Sequence, residues 1–188
     1  TRRVGLVELM RVAGVKKLSA EAIGFQIGPR LNAAGRLASA DLAYCLLTAG
    51  SRANAAQLAQ ELEDLNRERK QQQQRGVQEI EQRGVGEKPV IVAVGDWHEG
   101  VLGIIAGRLV EEYRRPVFVL APTAEDEQVL KGSGRSFGEF SLAEVCRECK
   151  NSLVAGGGHA GACGVKVLKE KLTESEREVN KFYQKLEL

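Results

Sequence analysis

Two short runs of branched apolar residues, 89–95 (PVIVAVG) and 116–121 (PVFVLA), flank a stretch at 101–113 (VLGIIAGRLVEEY) that is apolar along one side and charged at its end. Strand, helix and strand at this spacing make a βαβ unit, which requires a parallel strand pair. After the turn PTAED, residues 128–136 (QVLKGSGRS) should return antiparallel, and 156–168 (GGGHAGACGVKVL) should run a glycine turn into a last strand. Ser141 with Glu144 spells a capping box for a helix to about Lys150, and Thr173 with Glu176 spells another for a terminal helix. The fold class that follows is α/β, a mixed β-sheet with flanking helices.

The first part of the chain reads differently. Residues 4–13 and 18–24 suit short helices, the second capped by Ser19 and stopped by Gly24. The run 24–37 (GFQIGPRLNAAGRL) carries glycines and a proline among apolar residues and reads as an ordered loop. Helical spacing returns at 41–48, and Ser51 then caps a long helix to about Arg83. Ala55, Leu58, Ala59, Leu62 and Leu65 form its apolar stripe, but nothing apolar remains across 66–74 (NRERKQQQQ). A helix of that length reaches about 45 Å and suits a strut between two bodies; the alternative is a solvated break, which Gly76 favours.

With 43% hydrophobic and 28% charged residues, the composition excludes a disordered tail, and no apolar run approaches the length of a membrane span. A net charge of +2 does not announce a nucleic-acid binder, yet residues 1–60 hold eight basic residues against three acids, a local +5. The N-terminus lacks an export-like apolar stretch, and four cysteines fit a reducing cytoplasm. Cys146 and Cys149 form a lone C-x-x-C with no second pair, so zinc is disfavoured against two small apolar side chains on one helix.

Four constellations offer phosphate chemistry. Gly156, Gly157 and Gly158 leave bare backbone N–H groups able to surround an anion, with His159 beside them as a hydrogen-bond donor or proton-transfer group. Ser133 and Ser136 flank the Arg135 guanidinium, a planar fork suited to a phosphate ester. Trp97 and His98 stand where the first strand of the βαβ unit meets its helix, a favoured ligand position in open α/β sheets; Trp97 either stacks on a base or plugs the core. Arg30, Asn32 and Arg36 could grip a backbone phosphate, or the arginines could rest on surface carboxylates. Only four aspartates occur, none in a D-x-D or D-H-H cluster, so phosphate grips are present without a metal-ligand set.

GPRLNAAGRL, WHEGVLGIIAGRL, SGRS and GGGHAGACG, in this order, resemble the signatures of the DHH phosphoesterase superfamily. Within it they point to the bacterial single-strand-specific 5′ to 3′ DNA exonucleases. Cys163 stands where that family usually has alanine. The resemblance implies a fragment of a hydrolase of DNA repair and recombination, the alternatives being a catalytically inactive nucleic-acid-binding or scaffold module, or a small oligonucleotide or cyclic dinucleotide phosphodiesterase of the same superfamily: residues 1–50 as the end of the DHH domain and a linker region, 51–83 as the connecting helix, 84–172 as the DHH-associated nucleic-acid-binding domain, and 173–188 as a terminal helix. It implies Mn2+ or Mg2+ bound by a missing upstream domain and none in this fragment. The implied partners are single-stranded DNA and a single-strand binding protein or helicase, with no membrane. It also implies that Ser133, Arg135 and Ser136 hold a terminal phosphate, that Gly157, Gly158 and His159 contact the scissile region with His159 catalytic, and that Arg30 and Arg36 grip the strand near its 5′ end.

Overall fold

The structure is a computed structural model and describes residues 3–186; Arg2, counted in the basic N-terminal balance, lies outside them. By internal contacts the chain divides into two compact units, Thr1–Gln72 and Gln73–Leu188.

The first unit is helical, with α1 (Val4–Val12), α2 (Ala20–Ala22), α3 (Gly28–Leu37), α4 (Asp41–Thr48) and the first part of α5 (Arg52–Arg83). Ser19 caps α2 as its spacing requires, its Oγ accepting from the Ala22 N–H at 3.1 Å. Gly24 does not stop the chain, however, and the expected loop at 24–37 is helical: a π turn, Ile23–Ile27, runs straight into α3. The Gly28 N–H bonds back to the Ile23 carbonyl, and Pro29 follows as the second residue of α3, immediately after this π turn. Burial drives the outcome, since Ile27 and Ala34 pack with Leu9, Leu46, Ala55, Ala59 and Leu62 in one cluster. Beneath it Glu8, 2% exposed, pairs with Arg11 at 2.6 Å and Arg52 at 2.7 Å.

Helix α5 is continuous through Gly76, which is a contact rather than a break. A Cβ there would lie 2.5 Å from Ile105 Cδ1, so glycine is what lets α6 (Glu99–Tyr113) approach. Nor is the polar run wholly solvated, because Asn66 is 1% exposed.

The second unit is a five-stranded mixed sheet in the order β1 (Ile91–Val94), β2 (Val117–Pro122), β3 (Val129–Arg135), β5 (Ala162–Leu168), β4 (Ala155–His159). The β1–β2 pair is parallel, with α6 as its crossover, and every other pair is antiparallel. Strand β2 is buried from Val117 to Ala121, as an unbroken apolar run requires when both faces are covered. On one face, α7 (Leu142–Glu148) and α8 (Leu172–Lys185) close a core of Phe118, Leu120, Leu130, Phe140, Val165 and Val167. On the other face α6 packs on β2 and β3 and leaves β5 and β4 uncovered.

Both capping boxes are absent. Ser141 precedes α7 with extended backbone but makes no side-chain cap bond. Helix α8 begins one residue before Thr173, after a 3₁₀ turn, and Glu176 pairs with Lys88 at 2.9 Å instead. The expected glycine turn is also a strand: Ala155–His159 is edge strand β4, paired along its length with β5, and the reversal falls at Ala160 and Gly161.

Candidate nucleic-acid interface

Strand pairing brings the second unit's candidates together. Arg135 pairs with Ala162, and Ala162 with His159; Ser133 pairs with Gly164, and Gly164 with Gly157. Residues opposed across antiparallel strands face the same side, as do residues two apart along one strand. Arg135, Ser133, Gly164, Gly157 and His159 therefore share one face of the sheet, Arg135 and Ser133 beside α6 and the other three on the part that α6 leaves open. Two strand spacings, roughly 10 Å, separate the backbones of Arg135 and His159, a span a phosphodiester can bridge.

The glycines divide by face. Gly132, Gly134, Gly156 and Gly158 alternate with this set, and packing accounts for each. A Cβ at Gly134 would meet Cys163 Sγ at 2.7 Å, and one at Gly132 would meet Leu120 Cγ at 2.7 Å. At Gly156 it would press on Leu153 and Cys146, and at Gly158 it would lie 2.2 Å from the Ala162 carbonyl oxygen. On the open face, a Cβ at Gly157 would meet nothing within 4 Å, and one at Gly164 only the Gly132 carbonyl at 4.0 Å. Glycine inside a strand weakens it, and where no neighbour requires it the remaining reason is close approach from outside.

Arg135 Nη1 donates to Ser133 Oγ at 2.9 Å and to the Gly134 carbonyl at 2.8 Å, which fixes the guanidinium over its own strand. The room comes from Gly103 of α6, where a Cβ would sit 2.7 Å from Arg135 Nη2 and 3.1 Å from Ser133 Oγ. Sequence reasoning missed Gly103; the signal was a second glycine within an apolar helical run, where it weakens the helix unless something must come close. Exposed His159 accepts the Gly161 N–H at Nδ1 over 3.2 Å, which leaves Nε2 as the ring's donor. Because β4 is extended and paired, its N–H groups do not converge into the expected anion-cradling nest.

The other candidates do not join this face. The Ser136 hydroxyl donates to the Phe140 carbonyl and closes a turn. Trp97 is 8% exposed, donates from Nε1 to Glu79 at 2.8 Å and lies under the Arg83 guanidinium; of its two readings, the core plug holds. His98 caps α6, its Nδ1 accepting the Gly100 N–H at 3.1 Å.

In the first unit, Arg30 follows the carboxylate reading: it is bonded to Glu63 and donates to the Gln26 carbonyl at 2.7 Å. Asn32 is exposed on α3, one turn before Arg36. Arg69, also missed from sequence, lies near enough to Arg36 that burial and then the Arg36 charge hold its guanidinium below the usual range. Two cations kept together favour an anion beside them. Cysteines 146, 149 and 163 are unpaired thiols, and burial pushes Cys149 up to about 11 and Cys163 up to about 12, which suits inert packing. Among the described residues, no three His, Cys, Asp or Glu side chains gather to hold a metal ion.

A five-stranded mixed sheet with helices packed on it defines an α/β domain, and the chain belongs to the DHHA1 domain family, which matches residues 87–185. Over nearly its whole length it is similar to single-stranded-DNA-specific exonucleases named RecJ. It is 36% identical to the Bacillus subtilis protein, with 97% of this chain and 24% of that protein covered. With the Escherichia coli protein the identity is 38%, covering 90% of this chain and 31% of that one. The crystal structure of RecJ from Thermus thermophilus in complex with Mg2+ superposes with a TM-score of 0.89 at 31% identity, covering 98% of this chain and 29% of that chain; a second structure contains Mn2+. The chain thus spans about a quarter to a third of these relatives. The expectations of an α/β mixed sheet and of likeness to a longer exonuclease are borne out.

Proposed function

We propose that this chain is the strand-holding part of a 5′ to 3′ single-stranded-DNA exonuclease, a phosphodiester hydrolase of DNA repair and recombination. The observation that carries this reading is the Gly157–Gly164 pair on the open face, flanked by Ser133 and Arg135 on one side and His159 on the other. A phosphate on that floor takes charge-assisted hydrogen bonds from the Arg135 fork and a bond from His159 Nε2, while the bare glycine backbone admits the sugar-phosphate chain closely. Bases are not read by these groups. His159 acts as a hydrogen-bond donor that holds a phosphate oxygen. In the first unit, Asn32, Arg36 and Arg69 offer a separate grip for backbone phosphate, and Arg30, paired with Glu63, ties α3 to α5.

The described residues do not fit a metal centre, so no metal-dependent step is assigned to them. We place the Mn2+ or Mg2+ of the complete enzyme on residues outside these 188, where metal ions supply the attacking and leaving oxygens with charge stabilisation. The four free thiols accord with the cytoplasm, and a single-strand binding protein or helicase is a fitting protein partner for a strand-holding domain. No helix among the described residues is long and apolar enough to cross a membrane.

The test is binding of a 5′-phosphorylated single strand to the purified chain across a salt series. Arg135→Ala should weaken binding about tenfold or more and make the log–log salt slope shallower by about 0.7 for each phosphate that is no longer neutralised. The chain alone should hydrolyse nothing. Unchanged affinity and slope in the variant, or robust manganese-dependent cleavage by the chain, overturns the assignment.

A further inference from the structure

One step along the open face from the Ser133–Gly164 row, β3 and β5 place Lys131 directly opposite Lys166. Like charges opposed across an antiparallel pair are destabilising, and here the register leaves no alternative, because a slip of one residue would turn the core face of both strands outward. The cost is met in part by Glu99 at the start of α6. Its carboxylate bonds Lys131 Nζ at 2.5 Å and is held below the usual carboxylate range by Lys131 first and, more weakly, by His98 and Lys166. One carboxylate thus serves two ammonium groups on an exposed face, and the bonded pair is itself half open to water, with Lys131 46% and Glu99 62% exposed.

We propose that Lys131 and Lys166 form a second phosphate subsite, occupied by the next internucleotide phosphate of a strand whose end lies at Ser133 and Arg135, with Glu99 as the internal counter-anion which that phosphate displaces. The inference rests on the strand-holding reading above and adds direction to it. Two residues along a β-strand advance about 6.8 Å, comparable with the separation of successive phosphates in an extended single strand. The rows Arg135–His159, Ser133–Gly157 and Lys131–Lys166 are stacked in this order, so the strand runs along β3 and β5 beside α6. Gly164, exposed and without a side chain, lies between the two subsites and lets the sugar pass. Beyond Lys131 the path opens on a hollow of about 650 Å³ at the carboxyl ends of β1 and β2, bordered by Asp96, His98, Glu99, Thr123 and Lys169. The third nucleotide has room there.

The experiment compares thymidine 5′-monophosphate with 5′-phosphorylated oligothymidylates of two to four residues, measured by calorimetry on the 188-residue chain. Lys131→Gln and Lys166→Gln should each weaken the dinucleotide and longer strands about tenfold while leaving the monophosphate unchanged. Each should also make the salt slope for the longer strands shallower by about 0.7. Glu99→Gln should do the reverse, tightening the longer strands and steepening their slope, a gain that a merely structural lysine pair would not produce. If both lysine variants bind dinucleotide and monophosphate as the parent does, or lose both equally, the second subsite is refuted and the first stands. If the parent chain binds none of these ligands, the strand-holding reading itself falls.

Discussion

Replacing Gly157 by valine separates a binding role for the open face from a packing role. The structure sets the sign of both effects. A Cβ at Gly157 meets no atom within 4 Å, and its backbone lies outside the left-handed region, so a Cβ enters without collision or strain. Filling such a position removes unfolded-state entropy and raises strand propensity, together worth about 0.5–1 kcal/mol of added stability. For a chain of this size that amounts to a rise of about 1–4 °C in Tm. Binding should move oppositely: two added methyls on the floor between Ser133 and His159 hold a phosphate off its donors, and losing one charge-assisted bond costs about 1.5–3 kcal/mol, tenfold or more in affinity. Gly158→Ala, one residue on, is the control of opposite sign. Its Cβ would lie 2.2 Å from the Ala162 carbonyl oxygen and 2.6 Å from Cys163 Cα, both backbone, so β4 must separate from β5 and the melting temperature must fall. Thermal denaturation by circular dichroism and anisotropy of a labelled 5′-phosphorylated oligonucleotide read the two quantities independently. A Gly157→Val chain that is stable and binds normally refutes the reasoning, as does one that melts earlier than the parent.

Two other perturbations test neighbouring parts. Gly103→Ala should raise the intrinsic helix propensity of α6 yet push the Arg135 guanidinium from its seat 2.7 Å away, so strand binding should drop severalfold with little change in melting temperature; normal binding would remove Gly103 from the site. Glu8 is buried while its partners Arg11 and Arg52 are exposed, and its bonds to them hold its carboxyl below the usual range. The stabilisation it contributes is therefore present above the unfolded carboxylate value of about 4.3 and disappears as pH falls through the lower folded value. Acid melts of the parent should show this loss, and Glu8→Gln should flatten it; an unchanged acid limb in the variant would place the sensitivity elsewhere.

Much of the architecture was legible because it depends on residues near one another in sequence. The run PVIVAVG, its amphipathic follower and PVFVLA dictated a parallel pair with a crossover helix, and the apolar stripe from Ala55 to Leu65 dictated the start of α5. These are periodicities, and period is a local property. The signatures of the DHH superfamily were likewise carried by contiguous residues, and they named the chemistry of phosphate before any geometry was known. The errors came where local and tertiary preferences conflict. Residues 24–37 hold three glycines and a proline, yet Ile27, Leu31 and Ala34 gain a core by staying helical, and that gain outweighs the propensity penalty. GGGH was read as a turn for its glycines, yet pairing with β5 makes it a strand. Ser136, Trp97 and Arg30 have side chains suited to a site, but Phe140, Glu79 and Glu63 engage them, and none of those partners can be inferred from spacing.

What the order of residues determined by itself was the kind of sheet and the presence of residue types suited to phosphate. Only the tertiary structure decided which glycines are free to meet a ligand. A glycine's role depends on what lies beyond its missing Cβ, and at Gly134 that is Cys163 from a strand nearly thirty residues away while at Gly157 it is open space. The same holds for Lys131, Lys166 and Glu99: far apart in the chain, they become one charged group through strand register and the packing of α6.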